Sequence, residues 1–442
     1  MSQKGKTTSL VERIEIGERS QAGQSDMQIA QAMGRPLSTV KKWRRRYERE
    51  GRSGMSSCMG RPARGALGQF SAEMRETILT MRKSCPGWGA LTLRLELAKD
   101  MRFEDQPLPS RSRIAAYLKQ EKQVRKYERH EDLPEPKALP VEHPHQEWEL
   151  DAQGQTLVAG IGKVSFINLL DVFSHLSIDS QACLHSSHPN TLDYQLVLRR
   201  GFARYGLPEL ISLDHDSVFY DNHSASPFPT PIHLWLIALG VQVRFIHKKP
   251  PLEHARIERH HQTVSNQAIT GQTFANDDHL QDNLQGRIVF LNQEYPSQAL
   301  QGQPPLKAYP QAVHSGRPYH PEWEREALDM QRVYDYLAKG RWFRLTSTVG
   351  MFSLGAQAYN SSTRFANQTL EITFDAHTCE FIYLPETSDT PFRLPAKGLT
   401  QEALMGELFP LMAFPNYQLA LPFSPQAWRE MSLCQVLSGT TL

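Results

Sequence analysis

Residues 147–263 constrain the fold more than any other stretch, because they alternate between strand-like and helix-like runs. WELDAQG, VSFINLLDVFS and LSIDSQACL are three short runs rich in apolar and β-branched residues, the pattern of an antiparallel meander. NTLDYQLVLRRGFARYG then reads as a helix ended by Gly206, ELISLD as a strand, and TPIHLWLIALG as a second helix. VQVRFI is a last short strand before the proline-marked turn and charged helix of KKPPLEHARIERHHQT.

Three strands, helix, strand, helix, strand, helix is the ribonuclease-H-like order. In it the first and fourth strands are neighbours, which brings Asp151, at the end of WELD, beside Asp214, at the end of ELISLD. Glu258, flanked by Arg256 and Arg259, stands on the last helix. Magnesium is a hard ion that takes carboxylate oxygens and keeps its waters. Two such ions can hold the attacking and leaving oxygens of an in-line displacement at phosphorus. Asp151 is the expected bridging ligand, with Asp214 on one ion and Glu258 on the other, and manganese as a substitute metal. No nucleophilic side chain is needed, since a water or a DNA 3′-OH attacks directly. Glu253 and Asp216 are the rival carboxylates, while Asp171 and Asp179 read as strand-end or surface acids. His260 and His261 read as surface or DNA-side residues, and no His/Cys pairing has zinc spacing.

The N-terminal end points to the same kind of partner. Residues 1–64 hold 14 Lys/Arg against 6 Asp/Glu, although the whole chain of 442 residues is only +2. Such an excess suits a polyanion, DNA above all. Residues 10–50 read as three short helices. Ser25 and Gln28 form a capping box, Gly34-Arg35-Pro36 breaks the helix, and Ser38 is expected to cap the next one, STVKKWRRRYERE. Val40, Trp43 and Tyr47 share its inner face, whereas Thr39, Lys41, Lys42, Arg45 and Arg46 face away. Helix, tight turn, helix places such a second helix in the major groove, where Ser38 at its start would also reach DNA. Residues 51–70 read as a flexible basic linker, with Arg61 and Arg64 able to follow a groove as a minor-groove arm. A second helical module, 65–125, follows, with Arg111 and Arg113 at the entry of its last helix, placed for phosphate contact. Residues 126–146 are a charged linker.

Composition excludes several alternatives. The five cysteines include no close pair, which argues against a disulfide framework or a Cys-based zinc site and fits a reducing cytoplasm. No apolar run reaches 18 residues, and MSQKGKTTSL lacks the apolar core of a signal peptide. Beyond residue 325, VYDYLAKGRWFRLT, MFSLGAQAYN, QTLEITFDA and EFIYLPE are short alternating strands.

WELD at 148–151, SLDHDSVF at 212–219 and PPLEHARIERHHQT at 250–263 resemble the catalytic motifs of bacterial insertion-sequence transposases with a retroviral-integrase-like core. The stretch 289–305, the PGWGALTLRLEL segment and the LPSRSRI segment resemble the same group, so the likeness spans about residues 10–310. It implies a multidomain chain. Two all-α helix-turn-helix modules would precede an α/β ribonuclease-H-like core at 147–320, followed by a small β-barrel at 325–395 and a tail, 396–442, of unread role. It implies DNA cleavage at the 3′ ends of a mobile element and strand transfer to target DNA, by a homo-oligomer assembled on DNA in the bacterial cytoplasm, nucleoid-associated. Whether an ATPase helper protein takes part stays open. Lys248 and Lys249, in the loop before the last helix, and Arg256, Arg259 and Gln262 on it would face the DNA backbone. Arg341, Arg344 and Arg364 of the barrel would contact DNA or a neighbouring core. His215-Asp216 stands where the family has Asn-Gly, and 43 residues, more than usual, separate Asp214 from Glu258. These departures keep alive a second reading, a DNA-binding repressor or architectural protein with an inactive core; a stand-alone nuclease leaves the two DNA-binding modules unexplained.

Overall fold

The computed structural model describes residues 8–56, 65–124, 141–184, 188–246 and 255–406. The chain divides into two compact units, Met1–Thr77 with Arg102–Arg125, and Ile78–Met101 with Lys126–Leu442. The stretch 65–125, expected as one module, is thus shared between them. Arg61, Arg64, Lys248, Lys249, Glu253 and residues 407–442 lie outside the described residues. No helix among the described residues is long and apolar enough to cross a membrane.

In the first unit, helices α1 (Leu10–Gln21), α2 (Asp26–Met33) and α3 (Leu37–Glu50) surround a small core of Ile16, Ile29, Val40, Trp43, Tyr47 and Met55. The Ser25–Gln28 capping box forms, and Gly34 ends α2 in the left-handed region at φ 61°. One detail differs from expectation. Ser38 does not cap α3, which begins at Leu37 behind Pro36 and has no side-chain cap. The helix thus starts two residues earlier than a Ser38 cap would set it, with Pro36 as its N-cap. Gly17 is obligatory for packing, because a Cβ there would lie 2.0 Å from Cδ2 of Tyr47. Arg13 is buried, its guanidinium 4.2 Å from the Trp43 ring centroid, and donates to the Thr8 carbonyl at 2.6 Å. Met55 is wholly buried against this core, so the expected linker starts later than Gly51. Further along, α4 (Ala72–Ser84), α5 (Ala90–Ala98) and α6 (Arg111–Gln120) form where the sequence places helices.

In the second unit, β1 (Glu147–Val158), β2 (Gly162–Asp171) and β3 (Ser177–Cys183) form the antiparallel meander, and β4 (Leu210–Leu213) and β5 (Gln242–Phe245) add parallel strands beyond β1. The sheet order is β3-β2-β1-β4-β5, the ribonuclease-H-like arrangement. Alternation along β1 separates its two faces. Trp148 and Leu150 are buried on one, where the Trp148 ring stacks 5.8 Å from Phe202 on α7 (Thr191–Tyr205). Gly201 permits that approach, since a Cβ would stand 2.9 Å from Cγ2 of Ile178. The other face carries Glu147, Glu149 and Asp151 and lies under α9 (Ala255–Val264), which continues into a π-turn, Ser265–Ile269. Helix α8 (Pro231–Ala238) joins β4 to β5, and α10 (Asp277–Gln293) packs on β3. Asp171 and Asp179, read as strand-end or surface acids, are both buried. Asp171 ends β2 and accepts the backbone N–H of His145 at 2.7 Å; Asp179 pairs with Arg200 at 2.6 Å.

A buried polar cluster ties this core to the segments after it. Arg199 and Glu324, 2% and 0% exposed, form a bidentate pair at 2.6 and 2.8 Å, and the Trp235 indole donates to Glu324 at 2.7 Å. Tyr319 donates to the same carboxylate, and Arg199 also donates to the Met405 carbonyl at 2.5 Å.

The expected small barrel is instead a pair of open sheets. β6 (Trp342–Leu345), β9 (Thr369–Asp375), β10 (Glu380–Pro385) and β11 (Phe392–Pro395) pair in the order β11-β10-β9-β6, while β7 (Met351–Leu354) and β8 (Gln357–Asn360) pair with each other. Among the described residues no pairing joins the two edges β11 and β6, and closure requires it. Arg344, expected to reach outward, is turned inward. It pairs with Asp221 at 3.2 Å and donates to the Ser226 carbonyl at 2.6 Å, which fastens the loop insertion after Asp214. Arg341 pairs with Glu371 at 2.5 Å, and Arg364 is exposed.

Two outcomes follow. Glu324→Ala leaves Arg199 buried and uncompensated, and should cost about 3–5 kcal/mol in urea unfolding followed by the fluorescence of the buried Trp235. His233 lies against the rings of Phe245 and Tyr336, and burial pushes its pKa from 6.5 down to about 4. Its contribution to stability is therefore present above pH 6.5 and lost as pH falls toward 4. Relative to their difference at pH 8, His233→Phe should be more stable than the parent at pH 5 by about 2 kcal/mol, read from urea midpoints at both values.

Candidate active site and nucleic-acid interface

Strand register brings two of the three expected acids together. Glu149 pairs in parallel with Ser212, the last pair of the β1–β4 ladder, and Asp151 and Asp214 each follow that pair by two residues, Asp214 just past the end of β4. The turn after β4 fixes the second acid. Asp214 Oδ1 accepts the backbone N–H of Asp216 at 2.9 Å, and Asp216 Oδ1 accepts that of Val218 at 2.9 Å. Neither His215 nor Asp216 has a positive φ, so this turn does not need the glycine that the resemblance would place there. Asp216, the rival acid, lies beside the pair as a turn-former.

Glu258 is exposed on α9, and the structure does not bring it to the pair. Among the described residues, no three His, Cys, Asp or Glu side chains are gathered to hold a metal ion. The carboxylate chemistry of Asp151 and Asp214 fits magnesium; the arrangement of all three acids does not yet form its cage.

What touches Asp151 is His261, one turn beyond Glu258. Its Nε2 lies 2.9 Å from Asp151 Oδ2, and its Nδ1 lies 2.6 Å from the amide nitrogen of Asn168, the residue opposite Asp151 on β2. Donation by Asn168 to Nδ1 leaves the ring proton on Nε2, where Asp151 accepts it. His260 is buried beside it, 3.1 Å from Ser177 Oγ, and complete burial pushes its pKa down to about 3. Both histidines are thus interior, not the surface residues expected. Ile257, His260, His261 and Val264 sit at i, i+3, i+4 and i+7, one helix face, and all four are buried.

Two further residues escaped the sequence reading. Glu149 is 2% exposed and accepts the N–H of Ile257 in the first turn of α9. Burial pushes its pKa up to about 7 against the opposing charge of Arg256, and Oε2 has no partner. Tyr194 at the start of α7 is raised by burial and then by the charges of Asp216, Asp214 and Asp151, so its phenol stays a donor.

On the outer side of α9, Arg259 and Gln262 are exposed and Arg256 half-buried, an array able to meet a phosphate backbone. In the first unit, α3 presents Ser38, Lys41, Lys42 and Arg45 to solvent, with Thr39 half-buried. Arg46 is drawn back by Glu50 at 3.0 Å. Arg111 is exposed at the start of α6, whereas Arg113 is engaged by Gln69 at 3.1 Å.

Residues 7–56 match the family model of a homeodomain-like domain. Solved structures resembling the chain include the catalytic core of BIV integrase (16% identity, 38% of this chain and 95% of that one, TM-score 0.28). Another is the HTLV-2 integrase catalytic core in complex with magnesium (13%, 37% and 95%, 0.26). A third is the simian T-cell lymphotropic virus intasome in complex with the PP2A regulatory subunit B56 gamma (12%, 72% and 96%, 0.31). At such TM-scores the fold assignment rests on the strand order itself. The chain carries a homeodomain-like helix-turn-helix followed by an α/β core with the strand order β3-β2-β1-β4-β5.

If α3 is the DNA-reading helix, Lys41→Ala and Arg45→Ala should each weaken duplex binding and lower the slope of log K against log salt by about 1 where a phosphate contact is lost. Fluorescence anisotropy at several salt concentrations checks this.

Proposed function

We propose that this chain is a DNA transposase: it binds the terminal repeats of its mobile element through the helix-turn-helix, cleaves the 3′ ends and joins them to target DNA. The observation that carries the reading is that Asp151 on β1 and Asp214 just past β4 each follow the parallel pair Glu149–Ser212 by two residues, in a chain that also holds a homeodomain-like domain. Asp151, Asp214 and Glu258 are the proposed acids, and magnesium held by them would stabilise charge on the oxygens of an in-line displacement.

The chain's own residues do the positioning. His261, fixed by Asn168, holds the Asp151 carboxylate. The Asp216 turn holds Asp214. Arg256, Arg259 and Gln262 are the proposed backbone contacts beside Glu258, with Lys248 and Lys249 before them. Thr39, Lys41, Lys42 and Arg45 are the proposed readers of the element end, joined by Ser38, Arg46, Arg61, Arg64, Arg111 and Arg113. Two ends must be handled together, so assembly of several copies on DNA is part of the proposal.

A second reading, a repressor or architectural protein with an inactive core, is favoured by one observation: Glu258 is not gathered with the aspartates. A joining assay separates the two. Protein is mixed with Mg²⁺ or Mn²⁺, a plasmid and a labelled duplex of the DNA flanking its gene. Metal-dependent covalent transfer should appear and fall at least about a hundredfold in Asp151→Asn, Asp214→Asn and Glu258→Gln. Transfer undiminished in these variants overturns the acid assignment; tight duplex binding without transfer favours the second reading.

A further inference from the structure

The insertion DNHSASPFPTP, residues 221–231, lengthens the spacing between Asp214 and Glu258, and no part of the proposed cleavage chemistry uses it. It is folded into the four-stranded sheet that follows the core. Phe228 is 5% exposed, its ring 4.9 Å from that of Trp342 on β6 and 5.9 Å from that of Phe381 on β10. Gly355 makes room for it, since a Cβ there would stand 2.9 Å from Phe228 Cε1.

Arg344 on β6 supplies the polar half of this attachment. On the sheet side its Nε donates to the Ser353 carbonyl at 3.0 Å and its Nη1 to the Phe343 carbonyl at 2.8 Å. Toward the insertion, Nη1 donates to the Ser226 carbonyl at 2.6 Å and Nη2 to the Asp221 carboxylate at 3.2 Å. A planar guanidinium fork used on both sides fixes geometry as well as charge. Asp221 also accepts the backbone N–H groups of His223 at 3.2 Å and Phe228 at 3.3 Å, which closes the head of the loop.

From there the insertion reaches back to the acid. Asn222 Nδ2 donates to the carbonyl of His215, the residue after Asp214, at 2.6 Å. Thr230 Oγ1 closes the base of the loop on the Phe219 carbonyl at 3.1 Å. These contacts matter because Asp214 stands beyond both strand ladders of β4, which end at Glu149–Ser212 and Leu213–Phe245. The turn after β4 must therefore hold the carboxylate, and a metal ligand has to stay within about 0.5 Å of its place.

We propose that Asn222 and Arg344 are positioning residues for Asp214. Arg344 sets the insertion against the sheet, and Asn222 passes that placement to the His215 peptide. The proposal rests on the reading of Asp214 as a metal-binding acid. It gives the sheet after the core a part in metal affinity.

The test uses the full chain and two readouts. Hydrogen exchange followed by mass spectrometry, without metal or DNA, reports the turn itself. In Asn222→Ala and in Arg344→Lys the amides of Asp216 and Val218 should exchange at least about fivefold faster, as loss of one hydrogen bond gives, while β1 and β2 keep their rates. Arg393→Ala, which breaks ion pairs to Asp375 and Glu380 at the opposite edge of the same sheet, should leave the turn unchanged. The second readout is the Mn²⁺ concentration for half-maximal joining. It should rise about tenfold in both variants, with the maximal rate regained at saturating Mn²⁺ and duplex binding unchanged. The double variant should go no further than Asn222→Ala alone, because the two side chains act in series. Unchanged exchange in both variants overturns the proposal, as does faster exchange with an unmoved Mn²⁺ midpoint, or effects that add. A parent chain that joins no DNA overturns the transposase reading instead, and the exchange rates still show whether the insertion holds the Asp214 turn.

Discussion

Three carboxylates on one face of a single strand, Glu147, Glu149 and Asp151, set the terms on which this core can pack. Two of them are nearly inaccessible, 6% and 2% exposed, and an uncompensated buried carboxylate would cost several kcal/mol. Each has found a different remedy. Glu147 is paired with Arg244 from β5 and accepts from Ser212 of β4. Glu149 accepts the Ile257 N–H at the positive end of α9, and Asp151 accepts from His261 further along that helix. Helix α9 is therefore held to the sheet by its hydrogen-bond donors as much as by Ile257 and Val264. An apolar strand face would have packed the helix more cheaply and left no acid near the end of β4.

On the opposite face the forces are ordinary ones. Trp148, Phe202, Trp235 and Leu169 exclude water between the sheet and α7, and Gly201 lets the two approach. The Arg199–Glu324 pair lies within this apolar layer, and Tyr319, Trp235 and the Met405 carbonyl add three further hydrogen bonds to it. It joins α7 and α8 to segments beyond residue 319, so the sheet's apolar side cannot reorganise without breaking it.

The strand order, the capping box at Ser25 and the Val40/Trp43/Tyr47 stripe were legible because each depends on local pattern or on one topological rule. Three features were not. His260 and His261 look hydrophilic, and only the burial of the neighbouring positions Ile257 and Val264 shows that they face inward. Glu149 belongs to an alternating strand whose polar face would ordinarily meet solvent; that a helix covers it is a tertiary fact. The open sheets after residue 340 have strands of the right kind, but closure depends on whether β6 and β11 meet, and no residue of either records that.

Among the described residues the three acids are not gathered, and the helix geometry turns that into a choice for α9. With Ile257, His260, His261 and Val264 inward, Glu258 stands about 100° around the helix from Ile257, on the flank of the buried face. Rolling the helix to bring Glu258 to the aspartates moves His261 away from Asp151, so the same helix cannot make both contacts at full strength. The π-turn at Ser265–Ile269 gives such a roll a place to be absorbed, because its extra residue already breaks the regular ladder. Beyond it the chain is anchored, with Gln267 bonded to Thr92 at 3.1 Å and to Arg287 at 2.8 Å. The His261–Asp151 contact and a Glu258-containing metal site would thus be alternatives for the same helix.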